Sequence, residues 1–302
     1  MNKEIVAEIA EWKAARRAVI LAHNYTVGEI QDLADYVGDS LELSRKAAEC
    51  GAEVIVFCGV RFMAETAKIL SPDSIVLHPA PEAGCPMADM ADPAAVAAYR
   101  AAHPDAMLVA YVNTTAATKR EVDLCCTSGN VDRIVAAIPA DRKIMFLPDG
   151  NLGRNVAAKS GRRMEFWPGC CPVHDKIGVA DLERARQAHP GAPVLVHPEC
   201  RPEVVTLADQ ALSTGGMLEF VRKSPAREFI IGTETGILHR MRRENPGKRF
   251  FPLDPEPVCA DMKKITLTRV RDALRDLSPR VELDADTIRR AAEPIRRMLA
   301  VR

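Results

Sequence analysis

The chain has 302 residues, of which 47% are hydrophobic and 27% charged, the balance of a globular protein and not of a disordered or fibrous one. Its 41 Lys and Arg set against 41 Asp and Glu leave no formal net charge, which removes the simplest electrostatic argument for a nucleic-acid or anionic-membrane partner. Its 9 cysteines are too sparse for a secreted disulfide scaffold.

The opening stretch, MNKEIVAEIAEWKAARR, reads as a charged amphipathic helix and not as a signal peptide. No apolar run approaches the ~18 residues of a membrane span. A cytoplasmic location is expected, in which the thiols serve as core residues, catalytic groups or metal ligands. Short apolar, β-branched runs then follow at 18–22, 54–57, 75–77, 107–112, 144–147, 194–196 and 229–231. Helical patterns such as LELSRKAAEC, VDRIVAAI and MLEFVRKS separate them. This alternation predicts an α/β chain with largely parallel sheets.

The runs carry landmarks at one spacing. His23, Tyr111 and His197 each close a strand-like run, 88 and 86 residues apart. The motifs Gly38-Asp39-Ser40, Thr127-Ser128-Gly129 and Ser213-Thr214-Gly215-Gly216 keep the same step, each just before a helical pattern. Cys85, Cys171 and Cys259 keep it too. Length alone favours about two domains, but the repeat predicts three α/β/α units with small parallel sheets. Their spans are 1–86, 87–172 and 173–264, with C-terminal helices at 265–302 packing back near the first. A unit of this size is weak alone, so the three should pack around a pseudo-threefold axis. Open α/β sheets place ligands at the carboxyl ends of their strands, so the three ends define one shared central site.

Each landmark class has its own chemistry. A hydroxyl before a helix is commonly an ordinary N-cap. Three in register at strand ends favour anion binding, because helix N-termini attract phosphate and carboxylate. Isolated cysteines are mostly small core residues, and Cys50, Cys58 and Cys200 are read so. Cys85, Cys171 and Cys259 lie in Pro- and Gly-rich loops at matching points. Three converging thiolates could hold zinc with one open position, or three irons of a [4Fe–4S] cluster. Either would leave a Lewis-acidic site open to substrate. His23, Tyr25, Tyr111, Asn113, His197 and Glu199 follow strands in corresponding loops, where His, Tyr and Glu can move protons. The pairs Cys125-Cys126 and Cys170-Cys171 are ambiguous: packing is expected of the first, and Cys171 keeps the better register in the second.

The segments AHNY, YVNTTA, CCTSGN, FLPDGNLGRN, WPGCCPVH, HPE, STGGM and CADMKKITL together resemble the quinolinate synthase (NadA) family, from about residue 22 to 266. The resemblance implies three α/β/α domains around a pseudo-threefold axis. It implies a [4Fe–4S] cluster held by Cys85, Cys171 and Cys259, with one iron open. The implied reaction condenses iminoaspartate with dihydroxyacetone phosphate to quinolinate, phosphate and two waters, supplying the pyridine ring of NAD. By motif, His23 and Tyr25 are tied to the triose, and Ser40, Ser128, Ser213 and Thr214 to phosphate and carboxylates. Tyr111, Val112 and Asn113 match YVN; His197, Pro198 and Glu199 match HPE. Glu199 is expected to be the main proton shuttle, with Tyr111 assisting dehydration. Some relatives carry a C-x-x-C-x-x-C run at the third ligand; here Ala260, Asp261 and Met262 follow Cys259, so no disulfide switch is expected there.

Iminoaspartate is unstable in water, so the resemblance implies supply by L-aspartate oxidase or an aspartate dehydrogenase. The nearest alternative is a diphthamide-type radical enzyme, which also resembles three α/β units giving one Cys each. A zinc-bound hydrolase and a non-catalytic anion binder are the others.

Overall fold

Each apolar run forms a strand of a small parallel sheet, and the sheets are built three times in the same order. The structure is a computed structural model that describes residues 3–253 and 255–301. The first unit runs α1 (Lys3–Ala15), β1 (Ala18–His23), α2 (Gly28–Leu33), β2 (Tyr36–Gly38), α3 (Ser40–Glu49), β3 (Val54–Cys58), α4 (Arg61–Leu70), β4 (Ile75–Leu77) and α5 (Pro86–Asp89). The second runs α6 (Pro93–Ala102), β5 (Ala106–Tyr111), α7 (Ala116–Lys119), β6 (Leu124–Cys126), α8 (Val131–Ala136), β7 (Lys143–Leu147), α9 (Gly150–Ser160) and β8 (Glu165–Phe166). The third runs α10 (Val179–Ala188), β9 (Val194–Val196), α11 (Pro202–Leu207), β10 (Gln210–Ala211), α12 (Thr214–Lys223), β11 (Glu228–Gly232), α13 (Ile237–Glu244) and β12 (Arg249–Pro252). A 3₁₀ turn (Met262–Lys264), α14 (Leu267–Asp276) and α15 (Ala285–Ala300) complete the chain.

The three sheets have the orders β2-β1-β3-β4, β6-β5-β7-β8 and β10-β9-β11-β12. All pairings within them are parallel. Parallel sheets need cover on both faces, and the central strands are accordingly apolar and buried: Val54–Cys58 along its whole length, Lys143–Leu147 in all but its first residue. The expected α/β architecture of three units is therefore present. The sequence runs correspond to the six inner strands and to one edge strand, β4. Five of the edge strands, β2, β6, β8, β10 and β12, are only two to four residues long, too short to carry an alternation signal of their own. Cys125 and Cys126 lie in β6 and are fully buried, as packing residues would be.

One device recurs in every unit. The backbone N–H of Ile20 donates to Asp35 Oδ2 at 2.8 Å, that of Leu108 to Asp123 Oδ2 at 2.8 Å, and that of Val194 to Asp209 Oδ2 at 2.7 Å. Each carboxylate also pairs with a cation from the helix before its sheet: Lys13, Arg100 and Arg186. The aspartate thus ties the first helix, the first strand and the start of the second strand of its unit.

The C-terminal helices split. α14 lies against α1 and β3, beside the first unit. α15 instead lies along β6 and α7 of the second unit while touching α4 of the first. Its buried face of Ala291, Ala292, Ile295 and Met298 joins the core shared by those two units, and Asn130 donates to the Met298 carbonyl. Among the described residues no helix is long and apolar enough to cross a membrane.

Candidate active site

The carboxyl ends of β1, β5 and β9 meet at a cavity of about 560 Å³. His23 and Tyr111 end their strands, and His197 follows Val196 by one residue. These three occupy one structural position, three residues after the N–H that its aspartate holds. Tyr25, Asn113 and Glu199 occupy the position two residues further on, and all six line the cavity.

Two of the loops turn alike. The Tyr25 N–H donates to His23 Nδ1 at 3.2 Å, and the Glu199 N–H to His197 Nδ1 at 3.4 Å. Each contact makes Nδ1 the acceptor, so the ring proton sits on Nε2. In His197 that Nε2 reaches Ser128 Oγ at 3.2 Å. Burial, and then its neighbour His197, lowers the His23 pKa to about 3; burial lowers that of His197 to about 4. Both rings are therefore neutral at pH 7. Burial, and then the charge of Glu199, pushes the Tyr25 and Tyr111 hydroxyls well above the ordinary phenol range.

Glu199 is the hub. Tyr111 donates to its Oε1 at 2.5 Å, and His174 Nδ1 lies 2.7 Å from its Oε2. Burial opposes its ionisation, but His197 and His174 beside it and hydrogen bonds from His174 and Tyr111 outweigh burial, holding the carboxyl below the usual range. The site thus combines the ionised carboxylate of Glu199 with two phenols and the neutral imidazoles of His23 and His197, the parts list of general acid–base catalysis.

The hydroxyl motifs sit where helices begin. Asp39 caps α3, accepting from the Leu41 and Glu42 N–H groups, and Ser40 is the first residue of that helix. Ser213 caps α12 by accepting from the Gly216 N–H, and Thr214 follows it. Ser40, Ser128 and Thr214 line the cavity; Ser213, Val112 and Pro198 contribute nothing to its walls. Val112 lies in the core, and the Pro198 carbonyl accepts from Asn155 at 2.8 Å. Asn113 Oδ1 is buried without a partner, although buried acceptors are almost always paired. On a cavity wall this is a vacancy for a ligand's donor.

Cys85, Cys171 and Cys259 all line the cavity, and Cys170 does not. Each accepts backbone N–H bonds from the turn after it: Cys85 from Ala88 and Met87, Cys171 from His174, Cys259 from Met262 and Asp261. Burial drives the Cys85 pKa to about 12 and raises the other two. N–H donors aimed at half-buried thiols that resist ionisation suit sulfur that a metal keeps deprotonated. Sulfurs sharing one tetrahedral zinc at ~2.3 Å would lie about 4 Å apart. Among the described residues the one set of potential ligands within 4.8 Å of each other is Cys171, His174 and Glu199, not the three cysteines. The wider set fits a cluster of several irons better than a single ion.

His174 and Lys263 carried no assignment from the sequence, and Glu234, in a loop after a strand-like run, carried only a weak one. His174 touches Cys171 Sγ at 3.2 Å as well as Glu199; its signal was a His three residues after a ligand candidate in CPVH. Glu234, fully buried, accepts from the Cys259 N–H at 3.1 Å and the Gly236 N–H at 2.7 Å, and pairs with Lys263 at 2.7 Å. It pins the third cysteine loop to the end of β11. Lys263 also donates to the Tyr25 carbonyl at 2.7 Å, tying the same loop to the first unit.

The fold and site define a small-molecule enzyme of three α/β units, with its acid–base groups and three thiols gathered in one cavity. The chain belongs to the quinolinate synthase family: residues 7–300 match the family model described as Quinolinate synthetase A protein. It is 53% identical over its full length to a quinolinate synthase of Desulforudis audaxviator, covering 99% of that protein. It is 52% identical over 97% of the chain to one of Methanoregula boonei, again covering 97% of it. With one of Thermus thermophilus the figures are 46% identity, 99% of this chain and 98% of the relative.

Proposed function

We propose that this chain condenses iminoaspartate with dihydroxyacetone phosphate to quinolinate, phosphate and two waters, as a cytoplasmic step towards NAD. The observation that carries this reading is one cavity shared by three N–H-bonded thiols, the hydroxyls of Ser40, Ser128 and Thr214, and the ionised carboxylate of Glu199. The residues of 1–86, 87–172 and 173–264 are the three units of this reading. L-aspartate oxidase or an aspartate dehydrogenase supplies the imine.

Cys85, Cys171 and Cys259 would hold a [4Fe–4S] cluster. When bound, it supplies an iron without a protein thiolate, a Lewis acid that assists loss of hydroxyl as water. The rest is the work of this chain. Ser40 and Thr214 at their helix starts, and Ser128 in the turn before α8, present hydroxyls for phosphate and carboxylate. Asn113 Oδ1 takes a substrate N–H or O–H. His23 and Tyr25 hold the triose, with the His23 Nε2–H as donor. Glu199 receives a proton from substrate carbon or nitrogen, because it is ionised and already held by His174. Tyr111, whose hydroxyl points at Glu199, returns a proton to a departing hydroxyl.

The test is a quinolinate assay on protein purified without oxygen, given dihydroxyacetone phosphate and iminoaspartate generated in place. Quinolinate that disappears after exposure to air supports both the reaction and a labile cluster. Protein loaded with iron and sulfide that makes none overturns the reaction and turns attention to a radical enzyme. Stoichiometric zinc in its place points to a hydrolase.

A further inference from the structure

The Thr214 hydroxyl is held from behind by a residue outside the cavity lining. Asn24 follows β1 directly and is fully buried. Its Nδ2 donates to Thr214 Oγ1 at 3.2 Å, and its Oδ1 accepts from Arg240 Nη1 at 3.0 Å. Its backbone is tied as well: the N–H donates to the Gly38 carbonyl at 3.1 Å, and the carbonyl accepts from Gln31 Nε2 at 3.0 Å.

Arg240 settles which way round the amide lies. A guanidinium has donors only, so the amide atom facing it is the oxygen and the atom facing Thr214 is the nitrogen. That nitrogen can only donate, so the Thr214 hydroxyl accepts. Among the described residues this is the one hydrogen bond of that hydroxyl. Its own proton is left for a ligand in the cavity, whose wall Thr214 helps to form. Arg240 is fixed in turn by the Val37 carbonyl at 2.8 Å and by Glu244 at 2.6 Å. We infer that Asn24 is a positioning residue for an anionic group of the substrate. It makes Thr214 a hydrogen-bond donor to a phosphate or carboxylate oxygen, and it does so across the boundary between the first and third units. This deepens the proposed function and rests on it.

The fold does not call for an amide at this place. The residues that follow Tyr111 and His197 in the other two units are Val112 and Pro198, whose side chains carry no donor. Asparagine here is particular to the unit that faces Thr214.

The experiment is titration calorimetry on anaerobically purified, iron-loaded protein, with dihydroxyacetone phosphate and quinolinate as probes. The first carries a phosphate and the second two carboxylates. Asn24→Asp keeps the shape and the bond from Arg240 but replaces the donor by an acceptor, which claims the Thr214 proton. At least one probe should bind about tenfold more weakly, the worth of one hydrogen bond to a charged group. Loss confined to dihydroxyacetone phosphate supports the inference and assigns Thr214 to phosphate; loss for quinolinate supports it and assigns Thr214 to a carboxylate. Wild-type affinity for both probes overturns the inference. A double-mutant cycle separates positioning from general damage. Asn24→Ala should weaken the affected probe about threefold in the wild-type background and have no further effect in Thr214→Val, where the hydroxyl it acts through is gone. No loss in the wild-type background, or equal losses in both, overturns the inference. If Asn24→Asp does not fold, this cycle decides alone. Wild-type protein that holds iron but makes no quinolinate overturns the reaction instead, and the calorimetry still decides the role of Asn24.

Discussion

Two stretches of each unit lie three to five residues apart and behave in opposite ways. At the start of the sheet the three units carry the same chemistry: Asp35, Asp123 and Asp209 each hold a strand N–H and a helix cation. At the cavity end they diverge: His23, Tyr111 and His197 share one position, and Tyr25, Asn113 and Glu199 the next. The backbone problem at the strand start is the same in all units, so one solution serves. The proposed reaction is asymmetric, and the units accordingly give one Tyr against two His at the first position and a phenol, an amide and a carboxylate at the second. Threefold symmetry belongs to the frame, and the chemistry comes from breaking it.

That contrast can be broken most sharply at Glu199. Glu199→Gln keeps the shape of the hub but removes its charge, and turnover should fall about 10²- to 10⁴-fold while the iron content holds. Near-normal quinolinate formation would remove Glu199 from the mechanism. Tyr111→His makes the second unit resemble the other two, and should also cost turnover by removing the 2.5 Å donor to Glu199. If the swapped enzyme works normally, the divergence at this position is not functional.

The cavity should also show in the pH dependence of stability. Burial lowers His23 from 6.5 to about 3, so between those values the unfolded chain binds the extra proton and stability falls as pH falls. The contribution is complete above pH 6.5, and about 3 kcal/mol of it is lost by pH 4. Urea unfolding of wild type and His23→Gln across that range should show the variant to be the flatter. Parallel curves would mean that His23 is not buried as a neutral ring.

The smallest effects, and the most uniform, belong to the frame. Asp35→Ala, Asp123→Ala and Asp209→Ala each leave a buried strand N–H unpaired, at about 1–3 kcal/mol. Denaturant midpoints should drop by similar amounts in all three. A marked difference among them would show that the repeated geometry does not carry repeated energy.

Much of this was legible in the chain because a repeat amplifies weak signals. A single His, Cys or Ser-Gly says little, but three in step at 86 to 88 residues located the strand ends and the cavity cysteines. Of the edge strands only β4 was legible, since two to four residues such as Gln210–Ala211 carry no period. The position of α15 was not legible either, because an amphipathic helix does not say which sheet edge its apolar face will cover. The roles of Asn24 and Glu234 escaped for a related reason. They lie in contacts with Thr214, Arg240 and the Cys259 loop, which come from distant parts of the sequence. The aspartates of the frame also keep the 88 and 86 step, but as common surface residues they stood out only once their N–H partners were visible.

In the proposed enzyme three separate units deliver one thiol each to a single cluster. The most direct test is the iron and acid-labile sulfide content of anaerobically purified wild type beside Cys85→Ser, Cys171→Ser and Cys259→Ser. About four irons and four sulfides per chain are predicted for the wild type, with a comparable loss in every single variant while the far-UV spectrum is unchanged. A variant that keeps its full complement, or a wild type that holds stoichiometric zinc and no sulfide, would contradict the claim.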